Sequence, residues 1–465
     1  MRTSPAQSTN RPGLLALAGV VSAAVSVSAG TFGGWAWSAS AMAGIFLLAC
    51  LLWITEAVPL FATSLLVFGL VALVCANPGR WPWIDGGGQK TSFGEVLEAA
   101  ADPVLLLFFA GFLLAQAAAK TRLDRILSRA MLRPFMATPG RLLLGVMLIT
   151  AFFSMWMSNT ATAALMLAVL GPVLPEESSH AGFRKALLLG VALGANLGGL
   201  ATPIGTPPNL VAAGMLETIG SPVDFASWMV IGVPLALAVL LAGWLFLRLI
   251  FGTPPSLQLA VDQPERWTVR GIVVAGVFLA TVALWLCDTL TGLPAPAVAL
   301  LPVVLLTCGG IIRAEDLKRI EWDVLILIAG GIVLGAGMRW SGLDAILADL
   351  FARLPLRGWP LYAAAGALVI LLSTFVSNTA AANLLLPVFV PLASASGQAA
   401  PVAIALALCA SLAFALPVST PPNAIVHSRG GLGPRDGILP GVLCGLLGWL
   451  LVFGSMALYG RIIGR

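Results

Sequence analysis

The chain has 465 residues, of which 59% are hydrophobic and only 10% charged, where a soluble globular chain carries roughly 25% charged residues. In water it would lack the polar surface to cover itself, so a soluble enzyme is excluded. The net charge of +5 contains no run dense enough for nucleic-acid binding.

Six cysteines stand singly in apolar runs without a Cys-x-x-Cys pair, and the histidines are His180 and His427 alone. A zinc, haem or iron-sulfur site is not expected, and neither is an organic cofactor.

A bilayer core about 30 Å thick takes about 20 helical residues per crossing, so the composition predicts a polytopic all-α membrane protein. At the N-terminus, Arg2 and Arg11 lead into a short apolar stretch, Leu14 to Ala29. A cleaved signal peptide is one reading; a retained first helix with a cytoplasmic N-terminus is the expectation. Further apolar segments follow at 41–54, 59–76, 103–119, 142–174, 186–215, 229–250, 268–287, 294–312, 322–338, 362–395, 400–426 and 437–460. Segments 142–174 and 362–395 are too long for one crossing and carry polar residues near their centres. Segment 186–215 holds Gly198, Gly199, Pro203, Gly205, Pro207 and Pro208 in its second half. Backbone breaks at membrane depth are tolerated only where they line an enclosed or wet cavity.

Four landmarks recur in the same order. Leu105–Ala115 resembles Leu325–Gly335, and Leu123–Leu127 resembles Leu343–Leu347, both at an offset of 220. Ser158-Asn159-Thr160 returns as Ser377-Asn378-Thr379, and Thr206-Pro207-Pro208-Asn209 returns as Thr420-Pro421-Pro422-Asn423. This is an internal duplication. With 142–174 and 362–395 as re-entrant hairpins that do not cross, each half has five crossings and the halves are inverted, giving about 11 transmembrane helices. The expected organisation is a tail and first helix over 1–40, a first repeat over 41–250, a cytoplasmic linker over 251–267 and a second repeat over 268–465. Under this topology 18 of the 25 Lys and Arg residues face the cytoplasm. That bias places the N-terminus inside and the C-terminus outside the cell inner membrane. Residues 120–133 read either as a plain cytoplasmic loop or, with Leu123, Ile126, Leu127 and Met131 on one face, as an interfacial amphipathic helix.

The repeated breaks carry the chemistry. Ser and Thr cap helix N-termini and Pro suits the first turn, so each motif starts a new helix inside the membrane. Helix N-termini favour an anion, and exposed carbonyls and hydroxyls suit a small hard cation such as sodium. No Lys or Arg lies within these motifs, so a multivalent anion would need co-bound cations. The plainer alternative is that the small polar residues serve close helix packing.

At these motifs the sequence resembles the divalent anion:sodium symporter family, over nearly the whole chain from Thr55-Glu56-Ala57-Val58-Pro59 to Leu416–Ile425. The resemblance implies a homodimeric elevator transporter that carries a small divalent anion with sodium. It implies an anion site of Asn159, Thr160, Asn378, Thr379, Thr420 and Pro421. One sodium site would use Ser154, Ser158, Asn159 and the backbone near Gly205; the other would use Ser373, Ser377, Asn378 and the backbone near Thr420. The chain departs from the family pattern at Thr374, where many members carry Glu, and at His427 and Arg429. Arg429 either biases the second site toward the anion or only marks the cytoplasmic boundary, and His427 reads as a helix-end residue. Glu56 reads as a solvated or capping residue before Pro59 rather than a proton carrier. The expected function is sodium-driven uptake of C4 dicarboxylates such as succinate. A sodium-independent exchanger, or a citrate or sulfate transporter of the same fold, is the alternative.

Overall fold

Apolar segments inside a bilayer can satisfy their backbone groups only as helices or closed barrels, and every regular element among the described residues is helical. The computed structural model describes residues 11–31, 33–81, 84, 91–171, 174, 180–255, 267–353, 355–394 and 396–455. The N-terminal tail and most of the 251–267 linker lie outside them.

Helix α1 (Arg11–Thr31) comes first and packs on α2. A first series follows: α2 (Trp37–Thr55), α3 (Leu60–Val71, continued by a π turn over Ala72–Ala76), α4 (Phe93–Ala100), α5 (Pro103–Thr121), α6 (Leu123–Leu132), α7 (Pro139–Ser154), α8 (Asn159–Leu170), α9 (Ala181–Gly198), α10 (Pro207–Thr218) and α11 (Phe225–Phe251). The second series runs α12 (Val269–Leu286), the single turn α13 (Asp288–Thr291), α14 (Ala295–Cys308), α15 (Ala314–Leu317), α16 (Trp322–Ser341), α17 (Leu343–Ala352), α18 (Trp359–Phe375), α19 (Asn378–Ser394), α20 (Ala399–Ala410), α21 (Pro421–Ser428) and α22 (Ile438–Gly454). Apart from α13, the second series repeats the first element for element.

Contacts between the halves occur in exchanged pairs. Helix α3 packs on α16 while α14 packs on α5; α10 packs on α19 while α21 packs on α8; α10 lies against α20 as α21 lies against α9. A pseudo-twofold relation between the repeats produces this pattern. Among the described residues, six stretches are long and apolar enough to cross a bilayer alone: Gly13–Thr31, Trp37–Thr55, Phe93–Thr121, Phe225–Phe251, Val269–Leu286 and Trp322–Ser341. At a rise of about 1.5 Å per residue, α8 is too short to cross. Counting α9–α10 and α20–α21 as one broken crossing each, and the hairpins α7–α8 and α18–α19 as none, leaves the eleven crossings expected from the sequence. The outer face carries exposed Leu249, Val269, Leu279 and Leu446, which suits lipid and not water.

Boundaries shift where caps override hydropathy. The hairpins start at Pro139 and Trp359 rather than 142 and 362. Thr138 accepts a hydrogen bond from Arg141 N (3.3 Å) and thereby brings a polar first turn into α7. Helix α14 stops at Cys308 rather than 312 because Gly309 caps it and Gly310 follows in the left-handed region (φ 64°). Residues 123–132 form the amphipathic helix α6, with Leu123 and Ile126 buried and Arg125 exposed.

A sharp junction joins α5 to α6 and α16 to α17. It is made by Arg122 at φ 58° in the first repeat and by Gly342 at φ 77° in the second. Glu56 takes a similar left-handed C-cap after α2 and is exposed, in keeping with a capping role.

Candidate functional site

Hydrogen bonds join each hairpin tip to the neighbouring helix break and the two breaks to each other. Ser158 ends the first hairpin's turn in extended backbone (φ −60°, ψ 142°) and caps α8 by accepting from Ala161 N at 3.3 Å. At the start of α19, Ser377 Oγ accepts from Ala380 N at 3.1 Å. In each break the Thr adopts extended backbone and the following proline opens the next helix. The sequence thus builds four helix starts in the interior, as its cap residues require.

Asn209 and Asn423 hold the breaks open. Asn209 Nδ2 donates to Gly199 O (2.9 Å) and Thr202 O (2.8 Å), and Asn423 Nδ2 donates to Phe414 O and Leu416 O, both at 2.9 Å. The carbonyls freed by unwinding are thereby satisfied without water, the condition for irregular backbone at membrane depth. A hydroxyl in each break also ties it to the neighbouring hairpin: Thr202 donates to Met155 O at 2.5 Å and Ser419 to Thr374 O at 3.0 Å. The breaks are linked across the pseudo-twofold by Asn196, which donates to Thr420 Oγ1 at 3.1 Å, and by Ser411, which lies 3.5 Å from Thr206 Oγ1.

Around the first tip the structure brings together Ser154, Asn159 and Gly205, and adds the carbonyl of Ala195. Ser154 Oγ lies 2.6 Å from Ala195 O and 2.7 Å from Asn159 Oδ1. One hydroxyl hydrogen cannot serve both oxygens. The position taken by Asn159 Oδ1 lies 3.1 Å from Ala195 O and 3.2 Å from Gly205 O as well. One end of the amide therefore faces oxygen acceptors only. Turned inward, the amide nitrogen donates to these oxygens; with the amide oxygen inward, the pocket is a set of oxygens of the kind that could hold a small hard cation. Gly199 and Gly205 make the approach feasible, since a Cβ on Gly199 would sit 2.7 Å from Asn159 Oδ1 and one on Gly205 2.5 Å from Gly199 O.

Ser158 is placed differently. Its hydroxyl donates to Glu321 Oε1 at 3.0 Å, at the start of α16. Glu321 is half-buried just before the span Trp322–Ser341. Burial raises its carboxyl above the ordinary range, the Ser158 hydrogen bond opposes that shift, and the nearby charge of Asp323 adds to it.

The second tip is less knitted. Ser373 Oγ and Asn378 Oδ1 are buried without a hydrogen-bond partner, and Thr420 Oγ1 accepts from both Asn196 and Asn423 N. Thr374, the departure from the family pattern, turns its hydroxyl back to Ile370 O at 2.8 Å and away from the tip. Thr160 and Asn378 are half-buried, Thr379 is buried and Pro421 is exposed. His427 lies in the last turn of α21, with Nδ1 2.8 Å from Asn423 O, and Arg429 is the exposed C-cap of that helix.

Motif reading missed Asn196, Ser411, Glu321 and the Ala195 carbonyl. Asn196 alone had a signal, as a lone amide in the apolar run Ala186–Leu200.

The sequence model of the citrate transporter family matches residues 50–408 and 290–464. The chain belongs to the citrate transporter family. It is 33% identical over 438 residues to an uncharacterised transporter of Haemophilus influenzae, covering 88% of this chain and 89% of that protein. It is 31% identical over 433 residues to the sodium-dependent dicarboxylate transporter SdcS of Staphylococcus saprophyticus, covering 83% and 80% respectively. Among solved structures it is similar to the YdaH transporter of Alcanivorax borkumensis, with TM-score 0.56 and 17% identity over 87% of this chain and 98% of that one. It is also similar to MtrF of Neisseria gonorrhoeae, with TM-score 0.53 and 13% identity over 86% and 95%. These two likenesses carry the fold alone. The family member described here is thus a multi-pass membrane transporter of the dicarboxylate and citrate group, and not an enzyme.

Proposed function

We propose that the protein takes up C4 dicarboxylates such as succinate together with sodium, as a homodimer in the cell inner membrane with its N-terminus inside and C-terminus outside. The observation that carries this reading is the acceptor-only pocket at Asn159. Ser154 Oγ, Asn159 Oδ1, Ala195 O and Gly205 O are a hard oxygen set of the kind sodium takes at broken helices, and they bring no fixed charge of their own.

The amide gives a route to coupling. Without sodium, Asn159 turns Nδ2 into the pocket and leaves its oxygen toward the tip, where it repels a carboxylate. With sodium, Oδ1 turns in and Nδ2 becomes a donor for the anion, beside Thr160. Sodium therefore prepares the anion site and offsets the anion's charge, which a site without Lys or Arg requires. Asn378, Thr379, Thr420 and Pro421 complete the anion site from the second repeat. The buried, unpartnered oxygens of Ser373 and Asn378, with Ser377 and the backbone at Thr420, form the second sodium site. The hairpins and broken helices travel as one body past the remaining helices, in an elevator motion.

Uptake of labelled succinate, citrate and sulfate into proteoliposomes tests this. Succinate uptake should follow an inward sodium gradient and vanish in choline. Uptake that ignores sodium and requires internal dicarboxylate would establish exchange instead.

A further inference from the structure

Helix α16 begins on a fixed platform: Trp322 Nε1 donates to Leu317 O at 2.8 Å, and its ring lies 5.5 Å from that of Phe109 on α5. Glu321, immediately before, projects its carboxyl to the hairpin tip and takes the hydroxyl hydrogen of Ser158 across 163 residues of sequence. Ser158 Oγ meanwhile accepts from Ala161 N. With its hydrogen committed and one lone pair used, this oxygen has a single lone pair left, and a hydrogen bond to a carboxylate makes that pair more basic. The opposite repeat lacks the device. Asp102, which caps α5 as Glu321 precedes α16, turns back into its own helix and accepts from Val104 N at 2.9 Å.

We propose that Glu321 is a positioning residue for sodium: it orients and polarises the Ser158 hydroxyl so that its free lone pair faces the cation held by Ser154, Asn159, Ala195 and Gly205, and it supplies the negative charge those neutral ligands lack. The proposal rests on the sodium-coupled reading above.

The test measures half-saturating sodium and, at saturating sodium, half-saturating succinate in proteoliposomes for wild type, Glu321→Gln, Glu321→Ala and Ser158→Ala. Gln keeps the acceptor and the shape but loses the charge, so half-saturating sodium should rise about threefold. Ala should raise it about tenfold, the difference between keeping and losing a charge-assisted bond. Half-saturating succinate should move less than threefold in both. Adding Glu321→Ala to Ser158→Ala should raise half-saturating sodium by only the roughly threefold effect of the lost charge, because the hydrogen bond is removed by either change. Sodium-dependent wild-type uptake with unchanged half-saturating sodium in Gln and Ala would overturn the role of Glu321 and leave the sodium reading standing. Equal shifts in sodium and succinate would reduce Glu321 to a structural prop. Wild-type uptake without sodium dependence would overturn both.

Discussion

Asn196, near the end of α9, donates its amide to Thr420 Oγ1 at 3.1 Å and to Asn423 Oδ1 at 3.2 Å, fastening the first broken helix to the start of the second broken helix's inner half. Ser411 makes the exchanged, longer approach to Thr206. Asn196→Ala removes the stronger link and leaves two buried acceptors without this donor. A loss of about 1–3 kcal/mol follows for an unmet buried group. The thermal unfolding midpoint in detergent should fall clearly, and Ser411→Ala should lower it much less.

Gly199→Ala would place its Cβ 2.7 Å from Asn159 Oδ1 and 3.1 Å from Gly205 O. Both neighbours belong to the acceptor pocket, so neither can give way without opening it. Uptake should fall at least tenfold while the protein still inserts and purifies. Wild-type uptake by this variant would show that the pocket is not where the cation sits.

Ser154 and Ser373 occupy equivalent positions but are bonded differently. Ser154 Oγ lies 2.6 Å from Ala195 O, whereas Ser373 Oγ is buried without a partner. In choline, Ser154→Ala should cost about 1 kcal/mol of stability and Ser373→Ala nothing measurable. In sodium, both variants should lose part of the stabilisation that ligand binding confers on the wild type. Melting curves in the two salts check this. Sodium stabilisation that survives in Ser373→Ala would remove Ser373 from the second site.

The α5–α6 junction holds Arg122 at φ 58° where its counterpart uses Gly342 at φ 77°. A side chain in that region costs about 1–2 kcal/mol. Arg122→Gly should therefore be neutral or stabilising, and Gly342→Val should lower the melting temperature.

Arg133 at the C-cap of α6 and Arg353 at the C-cap of α17 are exposed equivalents in an inverted pair. Cysteines placed at each, in a background without native cysteines, should react with an impermeant maleimide from opposite faces of the membrane. Labelling from one face would break the inverted topology.

The sequence by itself determined the membrane environment, the helices, the duplication and the four internal helix starts. Each of these is written locally, in hydropathy, in cap residues such as Ser158 and Ser377, and in prolines such as Pro207 and Pro421 that end one geometry and begin another. The acceptor pocket at Asn159 was half legible: Ser154, Asn159 and Gly205 belong to the motifs, but the Ala195 carbonyl belongs to every residue type alike and leaves no mark in sequence. Glu321 was decided by tertiary structure alone, and so was what Asn196 meets, although its lone amide in an apolar run marked the position. Their partners lie 163 and 224 residues away. Nothing periodic relates such positions until the two repeats fold against each other, when a buried polar group must find whichever partner the packing brings within reach.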